Sequence, residues 1–489
     1  MALIDVSHLS FAYDGSYDYV FEDVSFQIDT DWKLGFIGRN GKGKTTFLQL
    51  LMGRYEFQGR ISAPVQFEYF PFPVENPDLD TLSILERVCQ EAPEWKLRQE
   101  LAALEVNEEI LYRPFDTLSN GERTKALLAA MFLRENHFLL IDEPTNHLDI
   151  KGRALVSRYL SRKKGFILVS HDRVFLDQCV DHILSINRSN IEIQRGNFST
   201  WWENKARQDN FEIAENEKLK KEVKRLKETA REKSSWSDRV EATKVGQGSV
   251  DRGWIGHRSA KMMKRAKAIE GRRQAALNEK AKLLKNIESV QALKMSQQSY
   301  HTNRLLSLRD VVVDYGDGPV CSPVTFTAAR GDRIAIMGRN GSGKSSILKL
   351  ICGEDIPYSG VFERGSQLKI SYVPQDTSGL TGSLTDYARE YEIDESRFKT
   401  VLRELDFERV QFEKDMAAFS AGQKKKVLIA RSLCENAHIH IWDEPMNYID
   451  VFSRMQIEEL LIKFQPTILF VEHDKAFCDA IASKTVALL

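Results

Sequence analysis

The apolar positions of this chain come in short runs. "KLGFI" and "RIAIM" are each followed by a glycine-rich turn and then by a helical segment, "TTFLQLLM" and "SSILKLIC". "FLLI" and "IHIW" run straight into a pair of acids, and "HFLLI" and "TILFV" are among the longest apolar stretches. Fully apolar runs of this length, bounded by turn signals, predict buried strands of an α/β sheet. None approaches the ~20 apolar residues of a membrane-spanning helix. The middle of the chain reads differently. Leu219, Val223, Leu226 and Ala230 recur at spacings of four, three and four, and Met262, Ile269, Ala276, Leu283 and Val290 recur every seven residues. These seams predict two antiparallel helices joined over about residues 234–258. A helix of ~30 residues is ~45 Å long, so a protruding hairpin is expected.

An internal repeat organises the rest. "GRNGKGKT" at Gly38–Thr45 returns as "GRNGSGKS" at Gly338–Ser345. "LSNGERTK" at Leu118–Lys125 returns as "FSAGQKKK" at Phe419–Lys426, and "FLLIDEPTNHLD" at Phe138–Asp149 as "IHIWDEPMNYID" at Ile439–Asp450. "LVSHD", ending at Asp172, returns as "FVEHD", ending at Asp474. The offsets are 300, 301, 301 and 302 residues, so one architecture occurs twice.

Each motif has a chemical task. In G-x-x-x-x-G-K-[ST] the glycines Gly38, Gly41 and Gly43, and Gly338, Gly341 and Gly343, let the backbone wrap closely with its N–H groups turned toward phosphate. Asn40 and Asn340 lie within these loops. Lys44 and Lys344 reach the β/γ-phosphates, and Thr45 and Ser345 offer a hydroxyl to Mg²⁺. Thr46 and Ser346 open the following helices, whose N-termini also favour phosphate. Asp142 and Asp443, at the ends of buried strands, are placed to hold Mg²⁺ through water. Glu143 and Glu444 are candidates to polarise the attacking water. His171 and His473 follow 28 and 29 residues later, placed for the γ-phosphate.

Composition narrows the class. The 489 residues allow two or three domains with cores of their own. Six cysteines are scattered with no C-x-x-C pair, which fits a reducing compartment and argues against a disulfide frame or structural zinc. The N-terminus has no basic region leading into a long apolar run, so no secretory signal is read. Net charge is −1, yet Lys244–Arg273 holds nine basic residues and two acids. Arg258, Lys261, Lys264, Arg265 and Lys267 lie beside an apolar tip, Trp254 and Ile255. Basic side chains suit phosphate, and an aromatic offers a stacking face to an unpaired base, so RNA is the favoured partner. A solvated coiled coil, its charges serving only solubility, is the alternative.

L-S-x-G-[EQ] between the phosphate loop and the aspartate strand resembles the signature of ATP-binding-cassette (ABC) ATPases; Phe419 stands for the Leu in the second half. The resemblance implies an α/β fold class: two ABC-type P-loop ATPase domains joined by a long α-helical hairpin linker. It implies a head-to-tail sandwich with ATP and Mg²⁺, in which Lys44 faces Ser420 and Gly422, and Lys344 faces Ser119 and Gly121. The serines open helices, so their hydroxyls and free N–H groups suit a phosphate from across an interface. Tyr13 and Tyr315 resemble the family's adenine-stacking aromatic. Gln375, in "ISYVPQD", matches the family's Mg²⁺-sensing glutamine. The first half reads "FEYFPFP" and places Phe72 there, which predicts slower hydrolysis at the site built on Lys44.

About 75 residues separate each phosphate loop from its signature, room for a small helical subdomain and little more. The expected domains are 1–203, the linker 204–300, and 301–489, with no C-terminal extension. Tandem cassettes, no membrane span and a charged helical linker resemble the ABC-F class, translation factors that act on ribosomes. "AENEKLKKEVKRLKETAREKSSWS", "IGHRSAKMMKRAKAIEGRR" and "WDEPMNYIDVFSRMQIEELL" resemble the Lsa-type antibiotic-resistance branch. That resemblance implies a cytoplasmic monomer that needs no membrane partner and enters the tRNA exit site of the bacterial ribosome. Its linker would contact large-subunit rRNA near the peptidyl-transferase centre and P-site tRNA. It would displace lincosamides, pleuromutilins and streptogramin A. Two alternatives stand: a housekeeping ABC-F factor without a drug role, and the ATPase subunit of an exporter.

Overall fold

A computed structural model describes residues 2–15, 18–89, 92–146, 148–186, 191–242, 261, 264, 267, 268, 271, 272, 295, 298–316 and 318–488. The chain divides into two compact units. One comprises Met1–Ile186, Ile191–Ser199 and Val290–Leu489; the other comprises Asn187–Asn190 and Thr200–Ser289.

The first unit holds both copies of the repeat. In the first copy a six-stranded sheet runs Gln66–Phe70, His137–Asp142, Phe166–Val169, Lys33–Ile37, His182–Ile186, Ile191–Arg195 in spatial order. All neighbours are parallel except the last pair. In the second copy five parallel strands follow the same order: Ile370–Val373, Ile439–Asp443, Ile468–Val471, Arg333–Gly338, Lys484–Leu488. A three-stranded antiparallel sheet accompanies each, with strand Leu3–Phe11 or Arg304–Val313 at its centre.

The strand order positions the chemistry. The strand leading to each histidine lies between the phosphate-loop strand and the aspartate strand. Register sets Asp142 beside Val169 and Asp443 beside Val471, so three motifs emerge at one carboxyl edge, where open α/β sheets bind ligands. Phe47 anchors the helix behind the first phosphate loop. It is fully buried with its ring 5.6–6.0 Å from those of Phe21, Phe26 and Phe36. Burying a side chain of this size contributes about 1.5–3 kcal/mol.

Two short helices, Thr81–Cys89 and Glu94–Ala103, precede the first signature, and Leu384–Glu390 and Glu395–Glu404 precede the second. The signature helices Asn120–Met131 and Ala421–Cys434 begin with capping boxes. Ser119 N–H donates to Glu122 Oε2 at 2.9 Å, and Ser420 N–H to Gln423 Oε1 at 2.9 Å. The acid or amide of the motif therefore serves as the third helical residue of the cap.

The helix Phe198–Ala242, which belongs to the second unit from Thr200 on, spans 45 residues, about 67 Å at 1.5 Å per residue. It continues past residue 234, where the sequence pattern places the joint, because no glycine or proline interrupts it before Gly246. Its described surface carries ion pairs one turn apart, Arg207–Glu203 and Lys218–Glu215. Lys261, Lys264 and Lys267 are helical and exposed. Trp254, Ile255, Arg258, Arg265 and the seam Met262–Ile269–Ala276–Leu283–Val290 lie outside the described residues, as do the side chains of Val223, Leu226 and Ala230. No helix among the described residues is long and apolar enough to cross a membrane.

Candidate nucleotide sites at the junction of the halves

The first phosphate loop wraps around a buried ammonium. Lys44 Nζ donates to Gly38 O at 2.6 Å, Arg39 O at 3.2 Å and Asn40 Oδ1 at 3.3 Å. Gly43 has φ +94°, and a Cβ there would stand 2.6 Å from Val20 Cγ1, so the turn requires glycine. Thr45 Oγ1 and Tyr69 Oη both donate to Asp142 Oδ2, at 3.2 and 2.8 Å. Tyr13 Oη bonds Thr46 Oγ1 at 2.6 Å.

Tyr13, Asn40, Gly43, Lys44, Thr45, Thr46 and Asp142 line a cavity of about 580 Å³ whose opposite wall comes from the second half: Ser420, Ala421, Gly422 and Tyr448. Asn40 Nδ2 crosses the junction to donate to Tyr448 O at 2.7 Å. Lys42 pairs with Glu408 at 3.3 Å, also across it. Lys44 and the second half's signature thus face one space. Glu143 and His171 line it too.

Electrostatics differ between the halves. Burial pushes Glu143 up to about 8, Asp142 adds to that, and Arg454 and Lys44 oppose it. His171 Nε2 lies 3.3 Å from Glu143 Oε1, and that oxygen is buried with no hydrogen-bond partner. Burial, helped by Lys44, drives His171 well below its ordinary range, so it is neutral. Burial also lowers the pKa of Lys44, while Asp450, Glu143 and Asp142 oppose this.

At the second loop Lys344 Nζ donates to Gly338 O at 3.0 Å and Arg339 O at 2.8 Å. Gly341 and Gly343 repeat the left-handed turns of Gly41 and Gly43. Ser345 hydrogen-bonds Asp443, and Ser346 is half-buried one residue on. Asp149 of the first half is among the charges acting on Lys344, as Asp450 of the second half acts on Lys44. Gln375 Nε2 and Asn447 Nδ2 donate to Glu444 Oε2 at 2.9 and 2.6 Å, and His473 Nε2 lies 3.4 Å from Oε1. Burial works to raise Glu444, but His473, Asn447 and Lys344 outweigh it and leave the carboxyl below its ordinary value. Ser119 is exposed, Gly121 half-buried, Asn340 exposed and Tyr315 54% exposed.

The sequence profile of the ABC transporter family matches residues 21–146 and 321–447, more than half of the chain. The chain belongs to this family. With two ABC cassettes it is an ATPase. It is 28% identical over 475 residues to the ribosome protection protein VmlR of Bacillus subtilis, covering 94% of this chain and 82% of that protein. It is 27% identical to the ATP-binding protein Uup of Caulobacter vibrioides, over 96% of this chain and 74% of that one. These similarities make it homologous to ABC-F proteins. Among solved structures, the archaeal ribosome recycling factor aABCE1, determined with the stalk protein aP1, superposes with a TM-score of 0.65. That match has 20% identity and covers 98% of this chain and 87% of that one; it shows the shared tandem-cassette fold.

The donor sets fit ATP with Mg²⁺. Asp443 Oδ1 and Glu143 Oε1 are buried without partners, so each site has an oxygen free to accept from a water or face a cation. Among the described residues no group of three or more His, Cys, Asp or Glu is arranged to hold a metal. A carboxylate, a hydroxyl and substrate phosphates suit Mg²⁺, which keeps several waters.

Sequence reasoning missed several members of these ABC sites. Tyr69 is repeated as Tyr372, a signal present in the chain itself. Tyr448 contributes a main-chain carbonyl, which its side-chain type does not announce. Buried Lys426–Asp450 and Arg454–Asp474 pairs, at 2.9 and 3.0 Å, back the junction.

Proposed function

We propose that this chain is an ATP-dependent ribosome-binding protection factor of the ABC-F class, with cassettes at 1–203 and 301–489 and a linker at 204–300. The observation that carries the ribosome assignment is the similarity to a ribosome protection protein across 94% of the chain, linker included. The cavity shared by Lys44 and Ser420–Gly422 supports closure of the two halves on ATP. The basic composition of Lys244–Arg273 supports an RNA contact.

In this reading Lys44 and Lys344 bind the β/γ-phosphates, and Ser420–Gly422 and Ser119–Gly121 receive the γ-phosphate from across the junction. Tyr13 and Tyr315 stack on adenine. Glu143 and Glu444 accept the proton of the attacking water, and His171 and His473 orient the γ-phosphate. Mg²⁺, held at Thr45 and Asp142 and at Ser345, Asp443 and Gln375, would neutralise phosphate charge. Closure then sets the linker on rRNA and P-site tRNA, and the protein acts in the cytoplasm. Displaced tRNA and rearranged rRNA expel lincosamides, pleuromutilins or streptogramin A without contact between drug and protein.

The double variant Glu143→Gln/Glu444→Gln tests this, because it keeps the phosphate loops and removes both bases. It should accumulate on ribosomes in the presence of ATP, and cells expressing the unaltered chain should resist these drugs. Release as fast as wild type would reject the closure mechanism. Ribosome binding without resistance would leave a housekeeping factor, and no ribosome binding would favour an exporter subunit.

A further inference from the structure

Lys425 sits on the signature helix five residues after Ser420 and is 1% exposed. A lysine this deep usually meets a carboxylate. This one donates instead to three main-chain carbonyls: Pro374 O at 2.7 Å, Gln375 O at 3.2 Å and Asp443 O at 3.3 Å. An ammonium has three donors, so all are used. Burial pulls its pKa down to about 8, opposed by Asp443, Glu472, Glu444 and Asp376.

Its acceptors are telling. Two belong to the loop that carries Gln375, an exposed residue beyond the end of strand Ile370–Val373. The third is the last residue of the strand that presents Glu444. A nearby carboxylate, Glu472, balances the buried charge and is itself held by Met446 N–H at 2.6 Å and His473 N–H at 3.0 Å.

The first half provides an internal comparison. Five residues after Ser119 stands Thr124, which has neither the reach nor the charge, and Ser170 stands where the second half has Glu472. The same half has Phe72 in place of Gln375. The clamp and the glutamine it would hold occur together in one copy and are replaced together in the other.

We propose that Lys425 is a positioning residue of the second nucleotide site: its ammonium ties the Gln375 loop to the end of the Asp443 strand and so keeps the Gln375 amide on Glu444. This rests on the proposed role of Gln375 and Glu444 in hydrolysis. A general base held in one orientation by its neighbours keeps its geometry through the reaction, whereas a glutamine on an untethered surface loop would leave it part of the time.

The test is a double-variant cycle in the full-length chain carrying Glu143→Gln, so that turnover reports the second site. Gln375→Ala alone should lower kcat about tenfold. Lys425→Met should lower kcat by a similar factor with the KM for ATP within about twofold, because binding groups are untouched. The double variant should fall no more than about twofold below Gln375→Ala, since both changes remove one function. Losses that multiply, or a Lys425→Met effect confined to KM, would overturn the proposal while leaving the role of Gln375 intact. An unchanged kcat in Gln375→Ala would instead overturn the reading of the site itself. Should Lys425→Met not fold, Lys425→Gln keeps two donors for the carbonyls. It enters the same cycle with a smaller expected loss and the same criterion of non-additivity.

Discussion

The Gln375 amide donates to Glu444 Oε2 at 2.9 Å, while Glu143 Oε1 in the other half is buried with no hydrogen-bond partner. The same residue type at the same point of a repeated fold therefore meets two environments. Glu444 lies below its ordinary pKa and is ionised at pH 7; Glu143, raised to about 8, holds its proton most of the time. If these two glutamates are the bases proposed above, the halves differ in readiness for the step that cleaves ATP, because a neutral carboxyl must lose its proton before it can take one from water.

At pH 7, Glu444→Gln should therefore cost more ATPase activity than Glu143→Gln. Removing the ionised base should lower steady-state turnover about tenfold or more, and removing the protonated one less than about twofold. Phosphate release by the two single variants, measured at saturating ATP, decides it. Equal losses would mean that the missing amide partner at Glu143 is compensated.

The pH profiles should separate the sites as well. In Glu444→Gln the remaining turnover depends on deprotonating Glu143, whose folded-state pKa is raised to about 8. Activity should rise between pH 7 and pH 9 with a midpoint near that value. In Glu143→Gln the active carboxyl lies below its ordinary value and is already ionised, so no rise is expected in that window. Parallel profiles would contradict the assignment of these protonation states.

Much of this arrangement is legible in the chain. Lys44, Asp142, Glu143 and His171 stand at strand ends that the short apolar runs announce, and strand order then gathers them at one edge. The meeting of Lys44 with Ser420 and Gly422 follows from the signature resemblance rather than from any periodicity. What stays hidden depends on tertiary packing. Asn40 reaches a main-chain carbonyl 408 residues away, and any residue at position 448 would carry one. Lys425 reads as one of three consecutive lysines, a solvated run, until the fold buries it. Its signal lay in the mismatch with Thr124 across the repeat. The helix from Phe198 overran its expected end because a broken apolar seam does not stop a helix; that takes glycine, proline or a cap.

Gly422 offers a test of the junction itself. A Cβ there would stand 2.5 Å from Tyr448 O and 3.2 Å from Asn40 Nδ2, the two partners of the bond that spans the halves. Main-chain atoms cannot step aside as a flexible side chain can. Gly422→Ala should weaken nucleotide-driven closure of the first site about tenfold or more. Fluorescent-nucleotide titration of Gly422→Ala in the Lys344→Ala background would show it, and unaltered affinity there would sink the idea.

The basic segment carries the last prediction. Lys261, Lys264 and Lys267 are exposed and helical at intervals of three, which keeps them toward one side of a helix. If they and Arg265 neutralise RNA phosphates, replacing all four with Gln should weaken ribosome binding. The slope of log affinity against log salt should fall by roughly one unit for each phosphate left without its cation, since fewer counterions are released. Trp254→Ala should behave otherwise: binding kept within about threefold, but drug protection reduced, because a single stacking face adds little to a multi-phosphate anchor. The free protein's ATPase should survive both changes, as neither alters a residue that lines the cavity between Lys44 and Ser420. Co-sedimentation across a salt series, paired with drug susceptibility, measures both arms. A four-Gln variant that binds as tightly and with the same salt slope, together with full protection by Trp254→Ala, would reduce this segment to a solvated coiled coil.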